Sequence, residues 1–290
     1  MQSVDVRRFI KVSNKIEGWF SSDAARLFGW IDEIQKNDGV VGDLFEIGCH
    51  HGKSAQLLGA MARPQTESLA VCDLFGLQSD NVSHSGKGDR DIFESNMQPV
   101  RDLGVEYKVF QKNSMALDSS EIGTNYRFFH VDGGHNPDEA LADLKLAANS
   151  LCEKGVIALD DPFRTEWPGV TEGLIRFFDE FTDFEALVVG CNKILISRKA
   201  ASAIYLNELG RHSSQDDFGF GYPWKIKSLP FHHAALRILY VPDYRQKKSL
   251  GNLVRKIYYA TPLSKNARAR NYSILKTEIS SKSSIANTVT

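Results

Sequence analysis

Between residues 40 and 198, short apolar runs alternate with amphipathic stretches along the whole segment. Runs of strand length fall at 44–48, 69–73, 106–111, 127–132, 156–160, 186–189 and 193–197. Helical candidates lie between the first six, near 52–62, 90–103, 115–122, 137–151 and 170–182. Such alternation predicts a mainly parallel sheet covered on both faces. The last two runs are separated only by Gly190-Cys191-Asn192. Three residues cannot hold a helical crossover, so this pair is expected to form an antiparallel hairpin. The helix at 137–151 is the best specified. Asn136 can cap it, Pro137 suits the first helical position, and Asp138 and Glu139 complement the helix dipole. Leu141, Leu144, Ala148 and Leu151 then share one face. Leu27, Trp30, Ile31 and Ile34 have helical spacing of the kind that packs a core, and residues 1–39 are expected to form a helical cap. The fold class is therefore α/β: a Rossmann-like, seven-stranded, mainly parallel sheet with an antiparallel last strand. N-terminal helices precede it and a C-terminal extension at 199–279 follows it. Residues 280–290, rich in Ser and Thr, read as a disordered tail.

Composition narrows the class without naming an activity. A chain of 290 residues with 42% hydrophobic content can hold one substantial α/β domain with additions. A net charge of −1 gives no overall field that would point to nucleic acid or membrane. The charge is uneven, however. From Arg245 onward ten Lys or Arg stand against one acid, Glu278, a net +9 that leaves the rest at about −10. That run reads as a solvated helix and tail, or as a contact for an anionic partner. Cys49, Cys72, Cys152 and Cys191 are scattered and show no metal-binding spacing, which suits a reducing compartment. No stretch approaches membrane-spanning length and the first residues lack a signal-peptide core, so a cytoplasmic location is expected.

Glu46-Ile47-Gly48-Cys49-His50-His51-Gly52-Lys53-Ser54 follows the first apolar run and leads into a helix. A strand, a tight glycine turn and a helix start form a nucleotide-binding geometry. The stretch can be read as a phosphate loop one residue short, or as a loop that holds S-adenosylmethionine. A phosphate loop needs four residues between its first glycine and Gly-Lys-Ser; three are present. Glu46 would also repel a polyphosphate. S-adenosylmethionine has no phosphate, and its ribose diol and cationic groups suit acidic side chains, which favours the second reading.

Other acids align with this loop. Asp73 ends the second strand, 21 residues after Gly52, where an acid commonly takes ribose hydroxyls. Asp132 ends the fourth strand within His130-Val131-Asp132-Gly133-Gly134-His135, and Asp160 and Asp161 end the fifth. Ligands of open α/β sheets bind at the carboxyl ends of strands, so all of these face one crevice. Three carboxylates at adjacent strand ends repel unless a cation sits among them, and Mg²⁺ is the hard ion expected there. It could lower the pKa of a substrate hydroxyl and orient it. Alternatively, Asp160-Asp161-Pro162 is only a strand-to-turn junction. His135 could take a proton, bind substrate, or simply hydrogen-bond its loop.

Four features resemble the class I S-adenosylmethionine-dependent methyltransferases, specifically the group of macrocin- and novobiocin-type O-methyltransferases. These are Glu46-Ile47-Gly48 with Gly52-Lys53-Ser54, Asp132-Gly133-Gly134-His135, Ala140-Leu141-Ala142-Asp143-Leu144, and Asp160-Asp161. The resemblance covers residues 40–198, and an antiparallel last strand is a signature of that class. It implies cofactor contacts from Glu46, Gly48, Gly52, Ser54 and Asp73. It also implies Mg²⁺ ligation by Asp132, Asp160 and Asp161, with Asp132 or His135 assisting deprotonation. The loop departs from the group's pattern at the bulkier Cys49-His50-His51.

The expected activity is thus Mg²⁺-assisted O-methylation of a hydroxyl on a sugar or small metabolite. A non-catalytic S-adenosylmethionine-binding module acting through the basic C-terminal region is the alternative. A phosphotransferase is disfavoured by the loop spacing. The acceptor is expected to be a small molecule or glycan, with no clear nucleic-acid partner. The N-terminal helices could be a homo-oligomer surface or a cap. Asp216 to Trp224, rich in glycine and aromatics, could be a lid or acceptor wall, or could pack the extension onto the domain.

Overall fold

The computed structural model describes residues 5–77, 79, 81, 86–215 and 224–240. Residues 216–223, the basic run at 245–270 and the tail at 280–290 lie outside the described residues, so the lid, basic-partner and tail readings rest on the sequence alone. One compact unit runs to Tyr240.

In chain order the elements are α1 (Val6–Ser13), α2 (Ser22–Asn37), β1 (Asp43–Ile47), α3 (Lys53–Met61), β2 (Leu69–Asp73), α4 (Arg90–Asn96), α5 (Gln98–Asp102), β3 (Tyr107–Gln111), α6 (Ser119–Ile122), β4 (Tyr126–Val131), α7 (Pro137–Ser150), β5 (Leu151–Asp160), α8 (Pro168–Glu180), β6 (Phe184–Gly190), β7 (Lys193–Arg198), α9 (Ser202–Gln215), β8 (Lys225–Phe231) and β9 (Ala234–Tyr240). Asp5 and Ser21 cap the two N-terminal helices by accepting from Arg8 N and Ala24 N, each at 3.0 Å. Asn136 caps α7 through Asp138 N and Glu139 N.

The sheet order is β3-β2-β1-β4-β5-β7-β6-β9-β8. The first five strands pair in parallel, and β7 runs antiparallel between β5 and β6. The expected α/β class and antiparallel last strand are therefore present. The sheet exceeds the expected seven strands, because the hairpin β8–β9 adds to its edge through Val189 and Ile238. Strand order reverses between β1 and β4, which opens a crevice at the carboxyl ends of those two strands.

The period of two along β1 and β4 sorts side chains to opposite faces. On one face Phe45 stacks on Phe129 with ring centroids 4.5 Å apart, within a core shared with Leu141 and Leu144 of α7. On the other, Phe128 meets Phe28 of α2 at 4.7 Å. Glu46 and His130, paired across the two strands, belong to that second face. Beneath it Arg127, fully buried, bonds Glu67 (2.9 Å), Asp32 (3.0 Å) and Gln35 (2.7 Å). This network fastens α2 to the sheet.

Candidate active site

A cavity of about 460 Å³ opens at the carboxyl ends of β1, β2, β4 and β5, within the range of small-ligand sites. Gly48, Ser54, Asp73, Asp132, His135, Asp160 and Asp161 all line it, bringing together seven of the residues singled out in the sequence. Glu46 and Gly52 do not.

Gly48 has φ +82°, and a Cβ there would lie 1.7 Å from the carbonyl oxygen of Asp132. The loop after β1 therefore touches the loop after β4, a contact only glycine allows. Gly52, with φ +85°, begins α3 and packs against Phe93 instead of facing the cavity. Asp73 accepts from His50 N (2.8 Å) and Phe75 N (2.7 Å), which ties the end of β2 to the glycine loop. Burial raises its carboxyl above the usual range, and these two bonds oppose the rise.

Glu46 is fully buried below the loop, with Oε1 2.7 Å from His130 Nδ1. Burial pushes its carboxyl up to about 8, and burial together with Lys193 pushes the His130 imidazole well down. Burial thus favours the uncharged form of both groups, and His130 Nε2 lies 3.9 Å from Asp132 Oδ2. Glu46 thus lies beneath the cavity wall against His130, whereas the resemblance implied a direct cofactor contact.

The acids at the ends of β4 and β5 are already partnered. Asp160 Oδ1 lies 2.5 Å from Lys193 Nζ and 2.9 Å from Asn192 Nδ2. The Asn192 amide also donates to Asp161. Asp161 adopts φ +54°, a conformation costly for a non-glycine residue, and sits 3.3 Å from Arg164 and 3.5 Å from His135 Nε2. Burial would raise its carboxyl, but hydrogen bonds from His135, Asn192 and Arg164 prevail and hold it at about 2. Burial and the neighbouring Asp160 keep Asp132 well above the usual range. His135 stacks on Trp167 with centroids 4.2 Å apart.

These residues do not fit the Mg²⁺ expected from the sequence. Among the described residues, the three-member cluster of His, Cys, Asp or Glu with ligand atoms within 4.8 Å of one another is Asp179, His232 and His233, none of which lines the cavity. Asp132, Asp160 and Asp161 do not converge in that way. β7 places one cation among them, Lys193, in contact with Asp160. The donor set does fit S-adenosylmethionine, with a backbone cradle open only to glycine at Gly48 and an acid at the end of β2.

Several lining residues carried no assigned role in the sequence. The segment before α2 contributes Glu17, Gly18, Trp19 and Phe20. Lys53, the residue that suggested a phosphate loop, donates to Gly18 O at 3.1 Å. His51 lies 3.7 Å from Glu17, and His50 meets the Trp19 ring edge-on at 5.3 Å. The bulky His50-His51 pair thereby holds the N-terminal segment over the loop.

The sheet order and the crevice are those of the class I methyltransferase fold. Residues 45–162 match the family described as "Methyltransferase domain". The O-methyltransferase NovP superposes with a TM-score of 0.51 at 13% identity, over 62% of this chain and 83% of NovP. The methyltransferase PaMTH1 from Podospora anserina, bound to SAH, covers 67% of this chain and 87% of its own at 14% identity and TM-score 0.46. An O-methyltransferase from Bacillus cereus in complex with SAH gives 17%, 67%, 90% and 0.47 in the same terms. The superposition on NovP shows a shared fold. No curated protein sequence matches the chain. No helix among the described residues is long and apolar enough to cross a membrane.

Proposed function

We propose that the protein transfers the methyl group of S-adenosylmethionine to a hydroxyl of a sugar or other small metabolite. One observation carries this reading: a single cavity joins a glycine loop and ribose-type acid, Gly48 and Asp73, to an imidazole–carboxylate pair, His135 and Asp161. S-adenosylmethionine supplies an electrophilic methyl; its C–S bond breaks as the new O–C bond forms, and the acceptor's proton needs a base. His135 is placed to take that proton, and the ionised Asp161 beside it favours the resulting imidazolium. Asp132 lines the same cavity and is placed to hold the acceptor oxygen. Trp167 fixes the His135 ring plane by stacking. Lys193, in contact with Asp160, supplies positive charge beside these acids without a metal. The alternative, a non-catalytic binder acting through the basic C-terminal region, leaves His135–Asp161 without a purpose.

Calorimetry with S-adenosylhomocysteine tests the donor end. The protein is expected to bind it, and Asp73→Ala to weaken binding on the order of tenfold, the scale of a lost hydrogen bond to a charged group. A folded protein that binds neither the methyl donor nor its product would refute the proposal. At the other end, His135→Ala is expected to keep that affinity and lose turnover on a panel of hydroxyl acceptors.

A further inference from the structure

We infer that Lys193 is the built-in counter-cation of the carboxylate cluster, and that it occupies the electrostatic role that a divalent metal would otherwise have there. The inference rests on the methyltransferase reading of the cavity and concerns how its acceptor end is held.

The antiparallel register sets the arrangement. Asp160, last residue of β5, pairs directly with Lys193, first residue of β7. Side chains of directly opposed residues emerge on the same face of a sheet, so a lysine at this point must meet the aspartate. Its Nζ lies 2.5 Å from Asp160 Oδ1, the residue is only 2% exposed, and the Phe20 ring lies 5.6 Å from the ammonium. The contact with Asp160 offsets what burial would cost the ammonium. The neighbouring Asn192 adds a neutral donor to Asp160 and Asp161.

Two consequences follow. A divalent ion at these carboxylates would have to displace or repel an ammonium already in contact with one of them. The acceptor hydroxyl, in turn, meets the site without a metal to chelate it, so one hydroxyl suffices and a second, chelating oxygen is not required. Lys193 does not line the cavity, so it acts through Asp160 as a positioning residue.

Mn²⁺ titrations of the full chain, followed by electron paramagnetic resonance of the free ion, test this directly. Wild type and Asp160→Asn are expected to give superimposable isotherms, including any ion held by Asp179, His232 and His233. Lys193→Met, which keeps the stem and removes the charge, is expected to gain a Mn²⁺ site tighter by roughly tenfold or more, because one positive charge at contact distance has gone. That site should vanish in Lys193→Met/Asp160→Asn, while Lys193→Arg should behave as wild type. Wild-type Mn²⁺ binding that Asp160→Asn abolishes would overturn the inference, and so would a folded Lys193→Met that gains no site. Should Lys193→Met fail to fold, the wild-type and Asp160→Asn pair still decides. S-adenosylhomocysteine calorimetry on the same samples separates the two claims: its failure sinks the methyltransferase reading and leaves the Mn²⁺ result standing.

Discussion

Replacing Glu46 with Gln should make the protein more stable, and increasingly so as pH rises. The side chain is fully buried, and its carboxyl is pushed from 4.5 up to about 8, chiefly by burial. A carboxyl raised in this way binds its proton more tightly in the folded state than in the unfolded chain. Its contribution to stability is fully present below pH 4.5, declines as pH rises from there, and is lost once pH passes about 8. At about 1.4 kcal/mol per pH unit, the wild type has lost about 2 kcal/mol of this contribution by pH 6 and about 5 kcal/mol by pH 9. Gln carries no titrating proton, and its amide can still donate to His130 Nδ1 at the 2.7 Å now spanned by Glu46. The stability difference between variant and wild type should therefore widen by about 3 kcal/mol between pH 6 and pH 9. Other raised carboxyls, such as Asp143 at about 7, titrate in both proteins and cancel in the difference. Urea denaturation followed by circular dichroism at the two pH values measures it. A difference that stays constant across this window would show that Glu46 does not hold a proton in the fold, and the neutral Glu46–His130 pair would have to be abandoned.

Two further substitutions probe the scaffold and the loop. Arg127→Met leaves Asp32 and Glu67 buried without their shared guanidinium, and should destabilise the protein by about 3–5 kcal/mol in urea unfolding; a loss below about 1 kcal/mol would mean that the network is dispensable. Gly48→Ala must move its new Cβ away from the Asp132 carbonyl, and φ +82° adds strain of about 1–2 kcal/mol. It should abolish S-adenosylhomocysteine binding by calorimetry while the far-ultraviolet spectrum stays native; retained affinity would contradict the close contact between the two loops.

Much of the fold was legible because strand and helix periods repeat cleanly through residues 40–198. The strand expected at 69–73 coincides with β2, and helix α7 ends within one residue of its expected end. Where the reading fell short, the cause is non-local. The strand expected from 156 starts at Leu151, because that residue pairs with Tyr126 and draws the chain into the sheet directly from α7. The hairpin β8–β9 gave no strand signal, since β8 is mostly exposed and contains Pro230. The acids of the site were readable one by one from their positions at strand ends. Their charge balance was not, because it depends on which residue of β7 faces Asp160.

That dependence explains why Glu46 and Lys193 have different consequences although both are buried ionisable residues of the sheet. Glu46 has His130 as its nearest titratable partner, an imidazole made neutral by its own burial, so the least costly state of the pair is uncharged. Lys193 faces Asp160 at contact distance with Asp132 adjoining, so it keeps its charge. Exchanging the two environments would invert both outcomes: a carboxyl beside an ammonium ionises, and a lysine among apolar rings sheds its proton. The strand register therefore decides more than packing. It sets which buried group beside the cavity favours its uncharged form, Glu46, and which meets an opposite charge, Lys193.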